Sequence, residues 1–166
     1  DWSGMVIDTQ TAGATGELKE AVREHWQRQP CGTRHLPTED RRRFFAELER
    51  EQNEWEPYIA DFARFARGAG KQVLEVGIGS GAQSALLSRF FPTVAVDNSA
   101  RIIRAALPNL ARFGPGARVV TADAFALPFR PSTFGVAVSQ GLLEHFADEA
   151  IGRLVREQLR VCDSIV

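Results

Sequence analysis

Three carboxylates and one amide stand where apolar runs of this chain end. Glu75 lies in the first of these runs, and Asp97 ends the second. Asp123 and Gln140 follow the third and the fourth. Carboxylate oxygens accept hydrogen bonds from hydroxyl and amino groups, so these side chains could bind a polar, nucleotide-like ligand. Because the carboxyl ends of parallel strands meet at one edge of a sheet, we expect all four around a single crevice.

Alternating glycines follow the first apolar run, in the order Gly77, Gly79 and Gly81. Glycine takes positive φ and lets the backbone approach a ligand without a Cβ in the way. The N-terminus of the helix that follows offers unpaired N–H groups to a polar or negative ligand group. The pattern therefore predicts a strand that turns sharply into a helix beneath the ligand.

The glycine spacing by itself leaves two kinds of ligand open. The G-x-G-x-x-A motif over residues 77–82 also fits the dinucleotide fingerprint, and Asp97 stands about the expected 20 residues further on. Three features weigh against a dinucleotide. Glu75 stands inside the strand end, where an acid can face a ligand ammonium, and a long segment precedes the loop. The segment 121–129 also has the spacing of a third strand end.

From residue 72 onward, short apolar runs alternate with amphipathic ones. Such alternation predicts βαβ units and a parallel sheet with helices on both faces. The uninterrupted apolar segments 94–96 and 136–138 are typical of strands buried on both sides. The fold class we expect is α/β, with a doubly wound, mostly parallel sheet. The predicted strands are 72–76, 93–97, 117–121 and 133–139, and the predicted helices are 80–90, 99–112 and 148–160.

The chain before residue 70 has a helical pattern instead. Residues 17–28 carry one apolar stripe at helical spacing, which predicts a helix that docks on another element. Thr38 can cap a second helix that runs to about Asn53, and Pro57 can open a third. The domain organisation we expect is a flexible N-terminus over 1–15, a helical cap over 16–69 and a ligand-binding core over 70–166.

Four segments of the core follow one another at consistent spacing: LEVGIGSG (74–81), VAVDNS (94–99), ADA with LPF (122–124, 127–129) and SQGLLEH (139–145). Together they resemble the class I S-adenosylmethionine-dependent methyltransferases, particularly the small-molecule branch called the type 11 methyltransferase-like group. Each segment alone is a weak signal, but four in this order are a strong one. The resemblance covers roughly residues 70–166. It implies a Rossmann-like core, S-adenosylmethionine as cofactor, and methyl transfer to a small-molecule nucleophile.

The resemblance also implies roles for residues at the first two strand ends. The glycine loop would pass beneath the methionine part of the cofactor. Glu75 would help to position the cofactor's amino group, and a structural hydrogen bond to the loop is the alternative for this side chain. Asp97 would accept hydrogen bonds from both ribose hydroxyls, and Asn98 beside it would lie against the adenine.

The third and fourth strand ends complete the implied site. Asp123 would accept a hydrogen bond from the adenine 6-amino group, while the backbone N–H of Ala124 reads a ring nitrogen. Gln140 would line the pocket near the transferable methyl group, and Leu142 would pack near the cofactor. His145 could act as a general base, although many relatives use a histidine at this position structurally.

The C-terminal end lacks elements that the resembled family usually has. Residues 164–166 have the pattern of the start of a fifth strand. Class I methyltransferases usually carry two further strands, which nothing in this sequence supplies. We therefore expect a chain whose C-terminal strands are missing, or a partner that covers the exposed sheet edge, such as a second copy in a homodimer.

Composition narrows the classes of partner. The formal net charge of −1 gives no electrostatic reason to expect binding to nucleic acid or to an anionic membrane. No apolar run approaches the roughly 20 residues of a membrane span. Three scattered histidines and two distant cysteines do not form a metal-binding pattern. We expect a cytoplasmic protein that binds no metal and acts on a small molecule.

Two other functions stay open at this point. The missing strands motivate a non-catalytic or truncated cofactor-binding subunit, which would bind the cofactor without turnover. The dinucleotide interpretation of the glycine loop motivates an NAD-dependent dehydrogenase. The other three segments make the dehydrogenase less favoured than the cofactor-binding subunit. The two alternatives differ from methyl transfer in ligand or in turnover, so binding and activity measurements separate them.

Overall fold

Five parallel strands and the helices between them form the core of the chain. The structure, a computed structural model, describes residues 15–28, 47, 50, 54 and 70–166. The strands are β1 (Gln72–Val76), β2 (Thr93–Asp97), β3 (Ala117–Thr121), β4 (Phe134–Val138) and β5 (Cys162–Ile165). The helices are α1 (Thr15–Arg28), α2 (Ala82–Leu87), α3 (Ala100–Phe113) and α4 (Asp148–Val161), with a short 3-10 helix at Leu143–His145.

The strands lie in the order β3-β2-β1-β4-β5, and every neighbouring pair is parallel. This arrangement confirms the α/β, doubly wound, Rossmann-like fold class. The chain moves outward from β1 to β3 on one side and then crosses over to β4 on the other. The order therefore reverses between β1 and β4, which is where ligands bind in open α/β sheets, beyond the carboxyl ends of the strands.

Both faces of the sheet are buried, which explains the uninterrupted apolar runs. On one face, Leu74 and Val96 pack in a cluster that includes Val161 of α4. On the other face, Ala95 packs in a cluster with Ile102 of α3 and with Ala85 of α2. Apolar side chains therefore point both ways from each central strand, as in parallel sheets covered on both sides.

The element boundaries follow the sequence prediction closely. Strands β1, β2 and β3 have the predicted limits, and β4 is one residue shorter at each end. Helix α2 is shorter than predicted because Gly81, in the left-handed conformation, caps its start and Ser88 ends it. Strand β5 begins at Cys162, directly after α4, rather than at Ser164.

The N-terminal helix lies against the core. Helix α1 contacts α3, and its side chain Val22 is buried. The apolar stripe predicted over residues 17–28 therefore docks as expected. The helix predicted over 38–53 falls outside the described residues except at positions 47 and 50, which are helical. The helix predicted from Pro57 lies wholly outside them.

Candidate cofactor site

A crevice opens at the carboxyl edge of β1, β2, β3 and β4. It runs across the switch point, from the loop after β3 to the loop after β4. The sequence predicted ten residues at a cofactor, and eight of them line this crevice. They are Gly77, Gly79, Asp97, Asn98, Asp123, Ala124, Gln140 and Leu142. The other two, Glu75 and Gly81, do not line it.

The glycine loop forms the floor of the crevice. Gly77 has φ 91°, a value that side-chain-bearing residues rarely adopt. A Cβ at this position would stand 3.7 Å from the side chain of Leu142, on the opposite wall. That distance is an ordinary van der Waals contact, so the positive φ rather than a lack of space favours glycine at this position.

The glycine at position 81 is explained by the packing of two helices. It is the N-cap of α2 with φ 79°, and a Cβ there would lie 3.1 Å from the Cβ of Ala106 in α3. The residue therefore permits close packing of α2 on α3. Its expected contact with a cofactor stays a prediction, whereas its packing contact is part of the structure.

Glu75 lies behind the glycine loop rather than in the crevice. Its side chain is fully buried, and its carboxyl group accepts a hydrogen bond from the Ser84 hydroxyl of α2. Burial above all, opposed by the Ser84 hydrogen bond and assisted by the neighbouring Asp97 carboxylate, raises the pKa of this carboxyl to about 8. The structural hydrogen bond considered for Glu75 is therefore present. A direct contact with the cofactor's amino group stays a prediction.

Asp97 joins the first two loops of the site. Its Oδ1 atom accepts a hydrogen bond of 2.8 Å from the backbone N–H of Ser99. The backbone N–H groups of Ile78 and Gly79 in the glycine loop also favour its charged form. Burial raises the pKa of Asp97, and these N–H donors oppose that rise. The carboxylate is thus fixed in place at the crevice, and its contact with ribose hydroxyls stays a prediction.

The helix after Asp97 begins with its own cap. The Ser99 side chain accepts a hydrogen bond from the Ile102 backbone N–H at the start of α3. Asp97 is therefore not needed as the N-cap residue, and its side chain is available to the crevice. Asn109 supports the same region from α3, because its amide donates to the Ser80 carbonyl in the glycine loop.

The loop after β3 supplies the far end of the crevice. Asp123 accepts a 2.8 Å hydrogen bond at Oδ1 from the Phe125 backbone N–H, and it pairs with Ala126 through an isolated bridge. The turn keeps Asp123 and Ala124 on the wall of the crevice. The Asp123 side chain therefore forms a turn with its own loop, and the turn holds this side chain at the crevice.

His145 does not line the crevice. The residue is buried in the 3-10 helix after β4, and its ring hydrogen bonds to the Gly141 backbone. Burial lowers the pKa of this imidazole, the Glu144 carboxylate raises it, and the nearby His25 of α1 lowers it again. A buried ring bonded to the β4 loop favours a structural role, so its action as a general base stays a prediction that the geometry does not support.

Seven apolar residues that line the crevice are not among the ten predicted, and four of them come from elements away from the strand ends or from distant loops. Val22 of α1 and Ile102 of α3 line it, as do Phe125 and Phe146, whose rings meet edge to face with centroids 5.4 Å apart. Arg153 lies over the Phe125 ring, 5.4 Å from its centroid. Val22 belongs to the stripe that predicted docking. The two phenylalanines are distant in sequence, and only the fold brings them together.

The described part of the chain contains no cluster of three or more His, Cys, Asp or Glu side chains that could hold a metal ion. Within the same residues, no helix combines the length and the apolar character that a bilayer crossing needs.

A doubly wound sheet, a glycine loop after β1 and acidic residues after β2 and β3 define the class of nucleotide-cofactor-binding α/β domains. The sequence profile of the family described as "Methyltransferase domain" matches residues 73–164. The chain therefore belongs to this family, within the class I S-adenosylmethionine-dependent methyltransferases, and its cofactor is S-adenosylmethionine. The matched region includes every strand end that contributes to the crevice.

Solved structures of methyltransferases share this fold. Magnesium protoporphyrin IX methyltransferase from Synechocystis, solved with bound S-adenosylhomocysteine, matches at a TM-score of 0.64 and 14% identity, over 87% of this chain and 68% of that one. A SAM-dependent methyltransferase from Aquifex aeolicus matches at 0.59 and 18%, over 71% and 65%. A SAM-dependent methyltransferase from Methanosarcina mazei matches at 0.51 and 27%, over 57% and 48%.

The chain is shorter than many of the proteins it resembles. It spans less than half the length of several other matched structures. No curated protein is significantly similar to it in sequence.

Proposed function

We propose that this chain binds S-adenosylmethionine in the crevice and transfers its methyl group to a small-molecule nucleophile. The observation that carries the proposal is the convergence of eight predicted residues, from four strand ends, on one crevice. The methionine part would lie over the glycine loop, the ribose at Asp97 and the adenine beside Asp123 and Ala124. Asn98 would lie against the adenine.

The residues of the crevice fit such a ligand. A bare backbone floor at Gly77 leaves room for a chain to pass, and the fixed Asp97 carboxylate offers acceptors for paired hydroxyl groups. Apolar side chains such as Ile102 and Leu142 provide walls for a flat heterocycle. When bound, S-adenosylmethionine supplies an electrophilic methyl group on a sulfonium.

The protein's own contribution to the reaction is then alignment and exclusion of water. Gln140 lies at the end of β4, where it can orient an acceptor near the methyl group. Val22, Phe125 and Phe146 give the crevice an apolar surface that water would leave on binding. A nucleophile that is already reactive needs no base, which agrees with the burial of His145 away from the crevice.

A small molecule is the acceptor class that these features favour. The Synechocystis relative is named for action on magnesium protoporphyrin, a small molecule. We further propose that residues 16–69 form a cap over a core of 70–166, because Val22 of α1 reaches the crevice. A cytoplasmic location, no association with nucleic acid or membrane, and a possible homodimer through the sheet edge complete the proposal.

A non-catalytic cofactor-binding role is the alternative, and one observation favours it. The only histidine proposed as a base is buried outside the crevice, so no described side chain is assigned to proton transfer. Cofactor binding without methyl transfer to any acceptor would support this alternative.

Ligand-dependent thermal unfolding tests the proposed cofactor. A ligand that binds only the native state raises the melting temperature with its concentration. We expect S-adenosylhomocysteine to raise it and NAD to leave it unchanged. A rise in the melting temperature with NAD alone would overturn the proposal and favour a dinucleotide as the ligand of the glycine loop. Incubation with labelled S-adenosylmethionine and a panel of small O, N and C nucleophiles then tests for turnover.

A further inference from the structure

The loop that carries Asp123 is held from outside the crevice by helix α4. The Glu157 carboxylate accepts a hydrogen bond of 2.7 Å from the backbone N–H of Leu127. The Arg160 guanidinium donates to two carbonyls of the same loop, those of Leu127 and Phe129, each at 2.9 Å. Three hydrogen bonds from two side chains therefore fix the backbone of this loop on α4.

The two side chains also bind each other. Arg160 donates from Nε to Glu157 Oε2 at 2.8 Å and from Nη2 to Oε1 at 2.7 Å. The Arg160 guanidinium holds the pKa of the Glu157 carboxyl below its usual value. The planar guanidinium meets both carboxylate oxygens and two carbonyls at once, which a single ammonium group cannot do. The pair, one turn apart on α4, forms a rigid clamp on the loop.

The clamp and the crevice lie at opposite ends of one hydrogen-bonded turn. Asp123 is bonded to Phe125 and bridged to Ala126, and Leu127 follows directly, buried in the core. The charge of Asp123 is close enough to raise the pKa of Glu157. Neither Glu157 nor Arg160 lines the crevice. Any influence they have on a ligand must therefore pass through the backbone of the loop.

We propose that Glu157 and Arg160 are positioning residues that set the orientation of Asp123 and Ala124, and with it the selectivity for the adenine base. The inference rests on the proposed function, which puts the adenine at these two residues. An adenine presents a 6-amino donor and a ring-nitrogen acceptor, whereas a hypoxanthine presents a 6-oxo acceptor and a ring N–H. A correctly oriented loop forms hydrogen bonds with the donor and acceptor of adenine and does not match those of hypoxanthine.

The test compares the same substitution at two arginines of α4. Arg160→Lys keeps the charge but loses the planar fork, while Arg156→Lys changes an exposed side chain for which no contact with the loop is found among the described residues. Calorimetry measures the affinity of each variant for S-adenosylhomocysteine and for S-inosylhomocysteine. We expect Arg160→Lys to weaken S-adenosylhomocysteine about tenfold, as loss of an outer supporting contact does at metal sites. Binding of S-inosylhomocysteine should change less. The ratio of the affinity for S-adenosylhomocysteine to the affinity for S-inosylhomocysteine should therefore fall. Arg156→Lys should preserve both.

Each outcome decides the proposal. A fall in the ratio supports it, and so does faster amide exchange at Leu127 in the variant. An unchanged ratio, whether both affinities fall equally or neither falls, would overturn the positioning role while leaving the cofactor site intact. A wild-type chain that bound neither ligand would overturn the proposed function and this inference with it. Glu157→Gln, which breaks the charged pair from the other side, repeats the test should Arg160→Lys fold poorly.

Discussion

The hydroxyl of Ser84 donates a hydrogen bond to the carboxyl group of Glu75, and both side chains are fully buried behind the glycine loop. The contact ties α2 to the end of β1 and so fixes the loop between them. In the described part of the chain, no cationic side chain lowers the pKa of this carboxyl, and burial raises that pKa to about 8. The acid therefore stays protonated near neutral pH when no cationic ligand is present.

Glu75→Gln should make the unliganded chain more stable in alkaline solution. An acid whose pKa rises from 4.5 to about 8 on folding loses stability as the pH rises between those values. At about 1.4 kcal/mol per unit, the loss approaches roughly 5 kcal/mol above pH 8. Urea unfolding at pH 5 and pH 9 measures it. From pH 5 to pH 9, the free energy of unfolding of the wild type should fall relative to that of the variant. A difference between the two proteins that does not change with pH would contradict the assigned protonation of Glu75.

Asp97→Asn should weaken cofactor binding without unfolding the chain. The amide replaces one carboxylate oxygen with a donor that faces the N–H groups of the glycine loop and cannot accept from a ribose hydroxyl. Loss of a hydrogen bond to a charged group costs about 1.5–3 kcal/mol, or roughly 10- to 150-fold in affinity. Titration with S-adenosylhomocysteine measures the change. Asp163→Asn, at the opposite edge of the sheet, is the control, and equal affinities in both variants would refute the ribose assignment.

Gly81→Ala should lower stability more than it lowers affinity. A Cβ here meets Ala106 at 3.1 Å, and the positive φ is unfavourable for alanine, so we expect a loss of about 1–3 kcal/mol. Gly77→Ala lies on the crevice floor and should reduce ligand affinity as well. Denaturant unfolding and calorimetry on both variants separate the two effects. A larger affinity loss at Gly81 than at Gly77 would show that the packing role has been assigned to the wrong residue.

Gln158→Met should stabilise the fold. Gln158 of α4 is 1% exposed, and neither its Oε1 nor its Nε2 atom has a hydrogen-bond partner among the described residues. Methionine has a similar length and no amide to desolvate, so we expect a gain of about 1–2 kcal/mol. Thermal and urea unfolding measure it, with Arg156→Met at an exposed position of the same helix as the comparison. A loss of stability would indicate that the amide does have a partner.

The parts of the fold set by local pattern were predictable. Apolar runs bounded by glycine and acidic residues gave the limits of β1, β2 and β3, and the order of those runs gave a parallel sheet. The carboxyl ends of the strands meet at one edge in any such sheet, so the sequence alone predicts that Asp97 and Asp123 lie at the same crevice. The same reasoning missed how far back Glu75 lies, because strand alternation does not say which face is covered.

The parts that depend on contacts across the fold were not predictable. Phe125 and Phe146 stand on different loops, and nothing in their neighbourhoods marks them as a pair. Arg160 looks like an ordinary exposed arginine at the end of an amphipathic helix, yet it binds two carbonyls more than 30 residues earlier in the chain. His145 has the residue type of a base, and only the fold shows that it is buried and does not line the crevice.

The most direct test of the cofactor site is calorimetric titration of the folded wild-type chain with S-adenosylhomocysteine, followed by NAD. We predict binding of the first at one site per chain in the micromolar range, and no binding of the second. Absence of S-adenosylhomocysteine binding by a chain with a native circular dichroism spectrum, or binding of NAD in its place, would contradict the account.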